Sequence, residues 1–207
     1  MEQKKEVKVW DILVRVFHWS LVIAFFIAYF TGDEENIWHI YAGYTVLGLI
    51  SFRFFWGFIG TKHARFSDFI YSPKTVIQYL KELISKHPKH YLGHNPAGGL
   101  MIILLLVSLF IVTVSGLKIY AIEEGKGPLA DSNNISMISQ SYASGGNNND
   151  YDEEEHEEEE FWEEIHEAST NFTLLLIFLH IVGVIVSSKL HKENLIKAMV
   201  TGKKNIH

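Results

Sequence analysis

His166 and His180 lie fourteen residues apart in one long apolar run, from Glu164 to Ser188. At about 100° and 1.5 Å per residue they return to within roughly 40° of one helix face and stand about 21 Å apart along it. Neutral imidazole is a good metal ligand, and haem iron is commonly held by histidine. A titratable group inside a bilayer points to function. The run is therefore read as one membrane helix that lends a ligand to each of two stacked haems. The chain has no cysteine. That excludes disulfides, thiolate-held iron–sulfur clusters and a C-x-x-C-H attachment site, so a haem here is held without a thioether bond.

Those histidines need helices to hold them, and the composition supplies helices. Of 207 residues, 48% are hydrophobic, 14% aromatic and 20% charged. The apolar residues concentrate in four runs separated by polar connections, the pattern of a small all-α integral membrane protein. The helices are expected at about 12–30, 37–59, 97–120 and 166–188, within one membrane domain over 1–207. The first run continues to Phe30 with no small-residue cleavage site, so it reads as a retained anchor. A short acidic turn, Thr31 to Asn36, joins the first two helices. The connection over 61–96 is basic, and within it Pro73 to Ile84 shows helical spacing of Val76, Ile77, Leu80 and Leu83. Proline fits a first-turn position, and the segment reads as an amphipathic helix on the membrane surface. Residues 121–163 are rich in Ser, Asn and Gly and then in glutamate, a composition that predicts a disordered acidic loop.

Lysine and arginine set the orientation. The segment before helix one, the 61–96 connection and the tail after Lys189 are basic, whereas the 31–36 turn and the 121–163 loop are acidic. The positive-inside rule puts both termini and the amphipathic helix in the cytoplasm and the acidic loop in the periplasm. Orientation gives each histidine a depth. His18 lies about 9 Å into helix one from the inner side, and His180 about 12 Å from the inner end of helix four. His39 and His166 both fall in first turns on the outer side. Depth thus pairs His18 with His180 and His39 with His166, each pair drawn from two helices, as in bundle cofactor sites.

The competing reading of any one membrane histidine is an interhelical hydrogen bond. Two on one face, with depth-matched partners on two other helices, favour ligation. His191 falls beyond the apolar run, and His94 reads as the start of helix three, with Asn95 capping and Pro96 in the first turn. His63, His87, His90, His156 and His207 sit in polar surroundings and are expected to be solvated. Arg15 and Arg53 are candidate partners for the inner haem's propionates, with positive-inside anchoring as the alternative. Lys118, at the outer end of helix three, is a candidate for the outer propionate, with snorkelling as the alternative. Gly43, Gly48, Gly98, Gly99, Gly116 and Gly183 are compatible with a flat macrocycle between helices, or with close helix packing.

Five stretches together carry a family resemblance. They are Phe17-His18-Trp19, His39-Ile40-Tyr41-Ala42-Gly43-Tyr44, Arg53 to Gly57, His94 to Gly99, and the pair His166 and His180. They resemble the bacterial cytochrome b561 family, closest to the branch with the cytochrome b subunits of nickel–iron hydrogenases. The resemblance covers nearly the whole chain except the 121–163 loop. It implies a four-helix bundle binding two haem b groups in a column, with His18, His39, His166 and His180 as iron ligands. It also implies electron transfer across the bacterial inner membrane between quinone and a periplasmic partner.

The expected partners are membrane lipid, quinone and a periplasmic c-type cytochrome or hydrogenase. A homodimer is also in view, and nucleic acid is not. A superoxide:quinone oxidoreductase of the same fold is the enzymatic alternative, although a glutamate-rich outer face disfavours an anionic substrate. A metal transporter using His156 and the acidic loop is the non-redox alternative.

Overall fold

The computed structural model describes residues 5–32, 36–85, 89–130 and 149–206. Most of the acidic turn (Asp33 to Glu35), the Ser/Asn-rich part of the long loop (131–148), His87 and His207 lie outside the described residues. Four helices are long and apolar enough to cross a membrane.

Helix α1 runs Ile12–Phe30 and α2 runs Ile37–Ile59. Asp11 starts α1: its Oδ1 accepts the Val14 N–H at 2.8 Å, which satisfies one of the donors a helix start leaves open. Asn36 does the same for α2, accepting from the Trp38 N–H at 3.0 Å. Nineteen residues in α1 give about 28 Å, close to the ~30 Å hydrocarbon layer. The short turn between them makes α1 and α2 antiparallel neighbours, and they pack on each other. Val14, Phe17, Ala24 and Phe25 are buried on α1, and Ala42, Val46, Ile50, Arg53 and Gly57 on α2. The opposite faces are apolar and open: Ile23 is 61% and Phe30 74% exposed. Such faces suit lipid as the solvent.

Asp11 also ties α1 to α2. Its Oδ2 accepts from Thr61 Oγ1 at 2.6 Å and from Trp56 Nε1 at 3.3 Å. Burial works to raise the Asp11 pKa but is outweighed by the hydrogen bonds from Thr61, Val14 and Trp56, which hold it below the usual carboxylate range. The carboxylate form, and the tie it makes, therefore persists until pH falls through that lowered value.

A 3-10 turn (Lys62–Ala64), the short α3 (Phe66–Phe69) and α4 (Pro73–Ile84) follow. Ser72 caps α4 and Pro73 occupies its first turn. Val76 and Tyr79 face inward, whereas Ile77, Leu80 and Ile84 are exposed. Helix α5 spans Pro96–Glu124, with Asn95 Oδ1 accepting the Gly98 N–H at 2.7 Å.

Helix α6 spans Asn149–Leu190. The expectation of a disordered segment over 121–163 is corrected at both ends. Residues 121–124 finish α5, and 149–163 are helical and continuous with the apolar run. The compositional argument failed because it treated the acidic run as a free segment. A helix is costly to nucleate but cheap to extend, and glutamate extends it well. Carboxylates near a helix N-terminus also meet the positive end of the dipole.

The chain divides into two compact units, residues 1–107 with 174–207, and residues 108–173. The first holds a small assembly that the sequence reading did not contain. Strand β1 (Lys5–Lys8) pairs antiparallel with β2 (Lys203–Ile206), with Val7 opposite Lys204. Helix α7 (Leu195–Thr201) leads into β2. Gly202 ends α7 at φ +81°, and its carbonyl accepts the Val9 and Trp10 N–H groups at 2.8 and 3.1 Å. A Cβ there would meet the Trp10 carbonyl at 2.7 Å, so only glycine fits both the φ and the space. Val9, Trp10 and Ala198 form the core of this assembly.

Lys204 is buried beneath the ribbon, its Nζ 3.3 Å from Glu193 Oε2, with side chains 5% and 7% exposed. His90 Nε2 meets the other Glu193 oxygen at 2.8 Å. Removing one partner of a buried pair strands the other charge, at a cost of about 3–5 kcal/mol. Glu193→Ala should therefore lower the unfolding temperature in detergent. The double change Lys204→Met with Glu193→Gln should recover much of the loss. Equal losses from the single and double changes would count against a charge-pair origin.

Candidate haem-ligand site

His18 and His180 belong to the first unit, on α1 and α6. The structure brings their rings together, with centroids 6.5 Å apart and planes at 50°. Metal–imidazole bonds are about 2 Å long and a ring nitrogen lies about 1.1 Å from its ring centre, so two imidazoles that held one metal between them would place their centroids about 6–6.5 Å apart. The two rings stand at that separation. His18 Nδ1 is buried and meets no hydrogen-bond partner among the described residues. Gly43 and Gly183, one turn beyond His39 and His180, each face open space within 4 Å of where a Cβ would stand. They do not serve helix packing, and they leave room beside the two histidines. On these observations the residues fit a flat, histidine-held macrocycle.

His39, also in the first unit, donates from Nδ1 to the Ala28 carbonyl at 2.9 Å. This bond fixes the tautomer that leaves the lone pair on Nε2. In the second unit, His166 Nδ1 donates to the Val112 carbonyl at 3.0 Å and lies 3.1 Å from Ser115 Oγ. Ser115 Oγ in turn donates to the Ile111 and Val112 carbonyls at 2.9 and 3.0 Å. His166 is thus oriented from α5 in the manner of a metal-ligating histidine. Gly116 makes this approach feasible, since a Cβ there would come within 3.0 Å of the His166 ring.

Arg53 is 3% exposed on α2. Its guanidinium lies over Phe66 at 5.1 Å and Phe69 at 5.6 Å, and Nη1 is buried without a hydrogen-bond partner among the described residues. Arg15 reaches the other way, donating from Nη1 to the Val200 carbonyl, while its Nε is buried and unmatched. Lys118 lies 3.8 Å from Glu158 Oε1 and 6.0 Å from the Trp162 ring centre, so within its own unit it meets an acidic helix.

Two histidines, His94 and His63, differ from their expected settings. His94 does more than start a helix, since its Nδ1 is buried. Its ring stands 4.3 Å from Trp10 and 4.9 Å from Phe69. Burial first, then the Arg53 guanidinium, pushes its pKa down to about 3, so it is neutral. His63 pairs with Asp68 at 2.8 Å with 17% exposure, whereas His90 is exposed, as expected, and meets Glu193 from the surface. None of these partners is a sequence neighbour on one helix face, so spacing could not reveal them. His156 is 83% exposed beside Glu159, and Glu123, Glu159 and Glu163 form an exposed acidic group.

Four apolar helices, each long enough to cross a bilayer, define a multi-pass membrane protein. The chain belongs to the prokaryotic cytochrome b561 family, whose model matches residues 9–202. It is similar to probable Ni/Fe-hydrogenase B-type cytochrome subunits. Identity is 28% to that of Azotobacter chroococcum mcd 1, over 63% of this chain and 66% of the relative. It is 26% to that of Rhodobacter capsulatus, over 64% of this chain and 62% of the relative. The protein of Azotobacter vinelandii matches at 28%, again over 63% and 66%. The chain thus spans a little under two thirds of the length of these relatives. No solved structure matches it.

Proposed function

We propose that this chain is a di-haem electron carrier of the bacterial inner membrane, working between the quinone pool and a periplasmic redox partner. His18 and His180 hold the inner haem, and by the depth argument His39 and His166 hold the outer one, within a four-helix bundle. The observation that carries the reading is the 6.5 Å separation of the His18 and His180 rings, joined to the family match over residues 9–202. A b-type haem supplies reversible one-electron chemistry at a potential set by its ligands and surroundings. Arg15 and Arg53 serve inner propionates. Lys118 is the corresponding cation on the outer side, in competition with Glu158.

The positive-inside rule places the β1–β2 ribbon and α4 in the cytoplasm and the acidic start of α6 in the periplasm. The likeness to Ni/Fe-hydrogenase B-type cytochrome subunits supports a hydrogenase as the partner. The acidic run of α6 suits a basic docking surface and disfavours superoxide as a substrate. Purified protein should show a reduced b-type spectrum with two haems per chain. A ratio of one would remove the outer site from this reading, and a spectrum without haem bands would remove the reading altogether.

A further inference from the structure

Besides His18 Nδ1, three side-chain nitrogens in the first unit are buried yet meet no hydrogen-bond partner among the described residues: Arg15 Nε, Arg53 Nη1 and His94 Nδ1. A buried guanidinium nitrogen without an acceptor is strongly disfavoured. The Asp11 charge acts on Arg53, but the hydrogen bonds its oxygens accept come from the Val14 N–H, Trp56 Nε1 and Thr61 Oγ1, not from the guanidinium. Arg53 and His94 share one neighbour, since the guanidinium and the imidazole both lie against the Phe69 ring, at 5.6 and 4.9 Å. Trp10 lies against His94 on one side, and its carbonyl flanks the same Gly202 that Arg15 Nε approaches. The His94 backbone is fixed as well: its carbonyl accepts from Tyr71 Oη at 3.0 Å. Gly99 packs on the Phe69 carbonyl with no room for a Cβ.

This is a built cluster of donors, and its chemistry selects an anion. Guanidinium is matched to planar carboxylate, and a neutral imidazole N–H adds one further donor. Arg15 lies one helical turn before His18 on α1, so the cluster stands beside the proposed inner ligands. We propose that His94, with Arg53 and Arg15, forms the seat for a haem propionate, so that His94 is a positioning residue for the haem held by His18 and His180. The inference rests on that ligand reading. With no cysteine in the chain to tether a haem covalently, such a seat would hold the group by its carboxylate. It also lets α2 and the residues before α5 influence the potential.

The test is a two-way cycle of redox titrations on the reconstituted holoprotein. One axis is wild type against His94→Phe. The other is haem b against its dimethyl ester, in which both propionates are neutral. With ordinary haem, His94→Phe should shift the reduction equilibrium of the inner haem about tenfold toward the oxidised form, which is 59 mV for a one-electron couple. With the ester the same substitution should have little effect, because the coupled groups no longer meet. His94→Gln keeps an N–H donor and should restore most of the wild-type potential. If His94→Phe does not fold, His94→Gln and Arg53→Lys carry the cycle, with smaller couplings of the same sign. Shifts equal in size for the two haems would overturn the seat, as would no shift in either. A His180→Ala variant that retains both haems would instead overturn the ligand reading beneath it.

Discussion

Purified His180→Ala protein is expected to hold one haem per chain instead of two, and His18→Ala protein to do the same. The rings of these residues stand 6.5 Å apart, a separation at which both could hold one metal between them. Removing one would leave a single histidine to hold the group, and a haem without covalent attachment would have little else to keep it. The pair should act as a unit, so the double variant should lose no more haem than either single one. His39→Ala and His166→Ala should each remove the other haem. The spectra separate the two groups, because the surviving haem differs. His191 provides the contrasting control. It follows the apolar run, and its ring lies 5.3 Å from that of His90. His191→Ala should keep both haems. Loss of a haem there, with both kept in His180→Ala, would reassign the inner ligand.

The acidic run of α6 should control the rate at which a basic cytochrome c exchanges electrons with the outer haem. Glu157 to Glu160 belong to the same continuous helix as His166, within 42 residues from Asn149 to Leu190. Glu153 to Glu160 therefore lie about 9–20 Å along the helix axis from His166. Charges fixed at that distance concentrate a cationic partner where its own cofactor must approach. Steering of this kind raises encounter rates by about 10–10³-fold at low salt. It fades as screening shortens to about 8 Å at physiological ionic strength. A variant with Glu153, Glu154, Glu155, Glu157, Glu158, Glu159 and Glu160 all changed to glutamine should be slower at low salt by a factor within that range. It should lose most of its salt dependence while retaining both haems. Identical rates and salt slopes in the two proteins would move docking to another surface.

The spans were legible because hydrophobic runs of membrane length admit little else, and the polar residues within them are few enough to be weighed one by one. The nearness of His18 and His180 followed from orientation and rise per residue, with no contact information. What escaped notice depends on partners distant in sequence. His94 looked like a helix start because Asn95 and Pro96 follow it, and both do act there. The contacts that cover its ring come from Trp10 and Phe69. Lys204 was read only as part of a basic tail, and its burial depends on Glu193. The acidic stretch misled for another reason: its composition was judged apart from the helix that it extends.

The β1–β2 ribbon joins Lys5 to Ile206, two residues separated by nearly the whole length described here. During synthesis at about 5–20 residues per second, β1 leaves the ribosome roughly 10–40 s before β2 exists to pair with it. Until then Trp10 has no Gly202 carbonyl to bond and no Ala198 to pack on. The ribbon can close only when the last membrane helix has brought α7 and β2 to the side of the bilayer on which β1 waits. A chain with one helix inserted wrongly would leave both strands unpaired, Lys204 without its carboxylate, and a sheet edge open to proteases. Closure of this clasp thus distinguishes a correctly threaded chain from a misthreaded one, a form of inspection built into the order in which the chain is made.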